Sequence, residues 1–226
     1  MTRNLYQTDV TANNLANINT TGFKRDDSFT DWFMEAVELG SAQRYTTFAQ
    51  GTLRTTDNPL DLALTSQGFF TLETPSGIAF TRNGHFSVSE DGFIITGQGY
   101  RVLGERGPLS VTGVDGAMGD LEIAINGEIY VDGIPNGFLD IANIVDLRTL
   151  EKVGGNLYRM TDDALVTRLS PEQIHVQQGM LEGSNVDPVS EMIDLIDYQR
   201  QFESTQRVVR AMDSLLGRAV QISEYR

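Results

Sequence analysis

Two histidines, His85 and His175, and no cysteine leave this chain few groups for nucleophilic, redox or metal chemistry. His85 stands beside the turn-forming pair Asn83-Gly84, and His175 lies in an alternating stretch from Gln173 to Gln177, so both read as ordinary turn or strand residues. A zinc site would have to take its remaining ligands from carboxylates, and no His-Glu-x-x-His spacing exists. Asp57 and Asp61, either side of Pro59, could be imagined as the acid and base of a glycosidase. In a chain with 31 Asp+Glu such pairs are common, and Asn58-Pro59 reads first as a turn. Gly97, Gly99 and Gly104 do not have the spacing of a dinucleotide loop, and no helical pattern follows them. The expectation is a protein that is not an enzyme, with no cofactor, no metal and no small-molecule substrate.

Charge and hydropathy narrow the partners. Seventeen Lys+Arg against 31 Asp+Glu give a formal net charge of -14, which repels a phosphate backbone and anionic lipid, so no nucleic acid is expected. No run of about 18 apolar residues exists to cross a bilayer, so no membrane insertion is expected either. Met1 to Val10 carries one Arg and no apolar centre, unlike a secretory signal. At 226 residues the chain can bury one core and still carry a helical appendage.

The elements that must do the work are of two kinds. Thr8 to Ile18 has a partly helical rhythm and stops at Asn19-Thr-Thr-Gly22. Its Asn13, Asn14 and Asn17 are poor helix formers, either a solvated face or amides that hydrogen-bond a partner helix. From Phe48 to Gln178 the pattern changes to short β-branched and aromatic runs: Phe69–Leu72, Ile78–Thr81, Phe86–Ser89, Phe93–Thr96, Tyr100–Leu103, Leu121–Ile125, Ile129–Val131 and Phe138–Val145. Asn83-Gly84, Asp91-Gly92, Asp115-Gly116, Asn126-Gly127, Asp132-Gly133 and Asn136-Gly137 punctuate them as hairpin turns. From Pro188 to about Ser223 the helical period returns, with Asp187 as N-cap and Pro188 at the first helical position. The fold class is α+β and mostly β: an antiparallel β domain (46–183) inserted between an N-terminal helix and a long C-terminal helix (1–45 and 184–226), which pair as a coiled-coil-like region. About 36 helical residues span roughly 54 Å, more than the short first helix can cover, so the apolar stripe points to neighbouring molecules.

Several blocks resemble one family. Ala12-Asn-Asn-Leu-Ala-Asn-Ile-Asn-Thr-Thr-Gly-Phe23-Lys, Gln50 to Leu64 running on to Gly68-Phe-Phe70, Phe80-Thr-Arg-Asn-Gly-His-Phe86 with Gly99-Tyr-Arg-Val-Leu103, and Leu181-Glu-Gly-Ser-Asn-Val186 follow the order of the bacterial flagellar hook and basal-body rod proteins. Gly104 to Leu109 and Gly179 to Val186 look most like the proximal members of the rod, with distal rod members next. The resemblance implies a structural subunit of the basal-body rod. Its terminal helices would polymerise into the axial drive shaft, with copies of itself and other rod and hook proteins as partners. It also implies passage through the flagellar type III export apparatus into the periplasmic or cell-wall space, without a cleaved signal. The assembly interface it implies comprises Asn13, Asn14, Leu15, Asn17, Ile18, Gly22 and Phe23 in front. Behind, it takes in Ser184, Asn185, Val186, Met192, Ile196, Gln199, Phe202, Val209, Met212 and Leu216. Eleven residues precede Ala12, fewer than the family usually carries, so self-pairing is expected to be weakened and the terminal helices poorly ordered without neighbours. The alternative reading is a secreted β-rich module that grips the cell wall, with the helix as a stalk.

Overall fold

A computed structural model of the chain describes residues 2–28, 44–112, 119–160, 166–170 and 172–224. The expected Asp115-Gly116 turn lies outside them. Two helices, α1 (Thr2–Ala16) and α2 (Pro188–Glu224), flank a succession of short antiparallel strands. The chain falls into two compact units. One contains residues 1–18, 26–47 and 186–226, and the other 19–25 and 48–185. Residues 19–25, expected with the helices, thus sit in the β unit.

The β unit is organised about the strand Phe69–Thr74, which pairs with Gly77–Thr81, Arg101–Gly104 and Ile141–Ile144. Its first four residues are all buried, because apolar groups cover both of its faces. Phe70 and Leu72 enter the larger core with Phe86, Ile94 and Ile141, while Phe69 joins Phe80 and Tyr158 on the other side. Phe48, Phe69 and Tyr158 meet edge to face with centroids 5.2 to 5.9 Å apart, the arrangement aromatic quadrupoles favour. Two non-local pairings close the unit: Leu62–Leu64 with Val176–Gln178, and Leu53–Thr55 with Met180–Glu182. The chain therefore enters and leaves the unit on neighbouring strands.

Three expectations change in detail. The apolar run Phe138–Val145 is not one strand: Ile134–Phe138 ends a three-stranded meander and Ile141–Ile144 begins in the large sheet. Between them Leu139 bridges to Gly104, and Asp140 donates its NH to the Leu103 carbonyl. Gly84 is not a turn glycine needing positive φ. A Cβ there would lie on the Leu62 carbonyl oxygen, so close backbone approach fixes its identity. Gly92, Gly127 and Gly133 do adopt positive φ between strands, whereas Asn136-Gly137 is no hairpin turn: it lies within the strand Ile134–Phe138, where the pairing shifts register opposite Ile129 and Tyr130.

Two outcomes follow from this packing. Gly84→Ala pushes one backbone against another and should cost about 1–3 kcal/mol, read as a fall of several degrees in thermal midpoint. Burial pushes the Asp140 carboxyl above its ordinary value of 3.8, Glu105 adds to the push, and Arg168, 3.1 Å away, pulls the other way. The folded state then holds this proton more tightly than the unfolded one, so this group's contribution to stability is fully present below about pH 4 and is lost as pH rises through the raised value. Asp140→Asn should be more stable than the parent at pH 7, with the advantage fading below pH 4 in parallel thermal melts.

Candidate assembly surface

Within the helical unit, α1 lies beside the start of α2. Asp187 caps α2, its Oδ1 accepting from the Val189 NH at 3.1 Å. Asn14 is buried, as are Gln7, Val10 and Thr11 on the same face of α1. Its side chain donates to the Asp26 carbonyl (2.8 Å) and to Glu191 Oε2 (3.3 Å), and its Oδ1 accepts from the Asp26 NH (3.0 Å). The amide thus pairs with a main chain as another strand would. Since the end of α1 meets the beginning of α2, the two run antiparallel. Asn17 donates to the Asn13 carbonyl one turn back (2.9 Å). Asn13 is exposed; Leu15, Asn17 and Ile18 are half-buried.

The apolar residues of α2 divide between two faces. At about 100° per residue, Leu195, Tyr198 and Phe202 align with buried Glu191 and are themselves half-buried. Val189, Met192, Ile193 and Ile196 point the other way and are all about half exposed or more. Gln199 is exposed too. Farther along, Val208, Val209, Met212 and Leu215 are again exposed. The side chain of Leu216 lies outside the described residues. α1, at about 22 Å, spans less than half of the roughly 55 Å of α2, and residues beyond about 203 run past it. Among the described residues no helix is long and apolar enough to cross a membrane.

The remaining candidates lie inside the β unit. Gly22, at φ 66°, has no room for a Cβ, which would come within 2.5 Å of the Asn83 backbone. Phe23 is buried with the Lys152 ammonium 4.5 Å over its ring. Asn185 accepts from the Arg25 NH (2.7 Å) and donates to the Ala49 carbonyl (3.0 Å); Ser184 is half-buried. Val186, in the helical unit, is buried. So Asn14, Gly22, Phe23, Asn185 and Val186 are occupied within their own chain, and Met192, Ile196, Gln199, Val209 and Met212 are open.

Periodicity gave no sign of a buried ion cluster in the β unit. Lys24 and Glu182 are wholly buried with Nζ 2.6 Å from Oε1. Lys24 also donates to the Ala49 carbonyl (2.7 Å), and the same Oε1 accepts from the Gly51 NH (2.9 Å). Arg82, nearly buried, brings Nη1 to 3.6 Å from Glu182 Oε2 and stacks its guanidinium 5.1 Å from the Phe69 centroid. Desolvation holds Lys24 and Arg82 below their ordinary values, while Glu182 works against it in both. His85 Nδ1 meets Asp61 Oδ1 at 2.7 Å, so this exposed histidine is a partner of Asp61; it ties residues 83–86 to the strand beginning at Leu62. Among the described residues no group of three His, Asp or Glu side chains could hold a metal ion.

Residues 1–24 match the family described as flagella basal body rod protein, residues 63–131 the flagellar hook protein FlgE/F/G D1 domain, and residues 177–222 the flagellar basal body rod FlgEFG protein C-terminal. The flagellar basal-body rod protein FlgF of Caulobacter vibrioides is 34% identical, the alignment covering 89% of this chain and 85% of that protein. The chain belongs to the flagellar basal-body rod protein family. FlgG of Caulobacter vibrioides is 32% identical over 92% of this chain and 90% of its own length. FlgF of Salmonella typhimurium is 33% identical over 96% and 92%. The rod-family signature around Ala12 to Lys24 therefore has a physical meaning in this chain, since it ends in the buried cluster.

The cluster holds two cations against one carboxylate, which sets an order of costs. Lys24→Met leaves Arg82 and Glu182 as a balanced pair, whereas Glu182→Gln leaves two buried cations without the anion they contact. Removing one partner of a buried pair costs about 3–5 kcal/mol; Glu182→Gln should fall at or above the top of that range and Lys24→Met below it, measured by urea unfolding.

Proposed function

We propose that the chain serves as a structural subunit of the flagellar basal-body rod, a reading supported by its family membership. We propose that it joins the rod through the exposed faces of α2, with neighbouring copies and other rod or hook subunits as partners. We further propose that it is a proximal rod member, exported by the flagellar type III apparatus and housed in the periplasmic or cell-wall space. One observation carries the interface: a helix of roughly 55 Å leaves Met192, Ile196, Val209 and Met212 exposed at 46%, 48%, 40% and 60%. Fully covering such a side chain is worth about 1.5–3 kcal/mol, and contiguous exposed apolar patches are uncommon on monomers. Asn14 takes no part in this surface, because its amide already bonds Asp26 and Glu191. The contacts that Gly22, Phe23 and Asn185 make within the β unit hold the subunit together.

Ile196→Asp and Val209→Asp test the surface. Each places a charge on an exposed apolar position of α2 where a neighbour must pack. The expected result is a β-unit melting temperature within about 1 °C of the parent, with motility lost and rods incomplete by electron microscopy. Complete rods from both variants would rule out this interface.

A further inference from the structure

Charges on α2 repeat in a way that the apolar pattern does not require. Asp187, Asp194 and Asp197 are followed thirteen positions later by Arg200, Arg207 and Arg210, with the same steps of seven and three. Thirteen steps of about 100° put the two rows roughly 140° apart around the helix, each row confined to a strip about 80° wide. The arginines are exposed, Arg207 at 79%, as are Asp187 and Asp197, and Asp194 is half-buried. Among the described residues Arg207 reaches Glu203 one turn back, at 3.5 Å, and Arg210 reaches Gln206 at 3.4 Å. Such exposed contacts hold a side chain weakly.

We infer that α2 of one subunit packs in parallel against α2 of a second copy of this chain, displaced along the helix axis by thirteen residues, so that the three arginines of one face the three aspartates of the other. The displacement is about 20 Å. The order of the steps selects the orientation, because seven-then-three matches seven-then-three only when both helices run the same way. In-register parallel packing would set each charge level with its own kind on the neighbouring helix, which electrostatics penalises as it fixes register. The overall charge of -14 makes this local basic row complementary to another copy. Because the two rows occupy different sides of the helix, each subunit gives one side to the copy above and the other to the copy below. Such a contact is heterologous and propagates instead of closing on itself as a dimer.

This inference rests on the polymerisation reading above, and charge reversal separates the two. In cells, Arg207→Glu with Arg210→Glu should lower the amount of subunit in isolated basal bodies about tenfold or more, as should Asp194→Arg with Asp197→Arg. All four together should restore it, which a variant that merely misfolds would not do. The absence of cysteine allows a second measurement. Asp197→Cys and Arg210→Cys in one chain are about 20 Å apart along the helix, too far to bridge internally, so mild oxidation of basal bodies should give a covalent ladder from the double variant and none from either single one. Normal incorporation of both charge-reversed pairs, failure of the quadruple variant to recover, or equal ladders from the single cysteines would overturn the staggered register while leaving the rod role intact. If the parent chain were itself missing from basal bodies, the underlying reading would fall instead.

Discussion

Glu182 is the point on which the β unit turns. Its side chain accepts from Lys24 and Gly51, its other oxygen faces Arg82, and its main-chain carbonyl accepts from the Gly22 NH. One residue thus ties together a segment before the first core strand, the turn in the 80s and the last strand of the unit. A buried pair of this kind gains little net stability over an apolar substitute, but removing one member exposes the full desolvation cost of the rest. Its service is to specify one arrangement. The strands of this unit are mostly three to six residues long, and hydrogen bonding alone leaves such short elements loosely specified in register.

The helical unit solves a similar problem with an amide. Asn14 gives up helix propensity, since its amide competes with the backbone, and uses that amide to bond the NH and carbonyl of Asp26. A buried main-chain group without a partner costs about 1–3 kcal/mol, so an asparagine at this position favours folding even though it disfavours the isolated helix. Asn13, next to it, faces solvent, and Asn17 folds back on its own helix. Three identical residues within five positions therefore do three different things.

Much of this was legible beforehand. Asp187-Pro188 and the recurrent apolar residues marked α2 to within a residue or two, and the β-branched runs located most strands, because these signals are local and periodic. The break at Leu139–Asp140 was not readable, since a strand that changes sheets keeps its apolar character through the crossing. Nor was the role of Gly84, where the constraint comes from Leu62, far away in sequence. Lys24 and Glu182 are 158 positions apart, and a lysine between a phenylalanine and an arginine looks like any surface charge. The apolar residues of α2 were read as one stripe, yet Met192 and Ile196 face away from Phe202. Counting steps of three and four joins positions whose small angular errors add up to a change of face.

The neighbouring strands Leu53–Thr55 and Met180–Glu182 have a mechanical consequence. They are antiparallel, with Leu53 opposite Glu182, so the chain ends leading out of the β unit emerge side by side. A force that draws those two ends apart loads the ladder as a zipper, one pair at a time, and once the outer bonds of Asn185 to Ala49 and Gly183 to Thr52 have parted it meets the rung carrying Glu182. Hydrogen bonds taken singly yield at small loads, but this rung cannot part without pulling a carboxylate from a buried ammonium. The ion cluster sits near where tension would enter, as a rivet sits near the head of a seam.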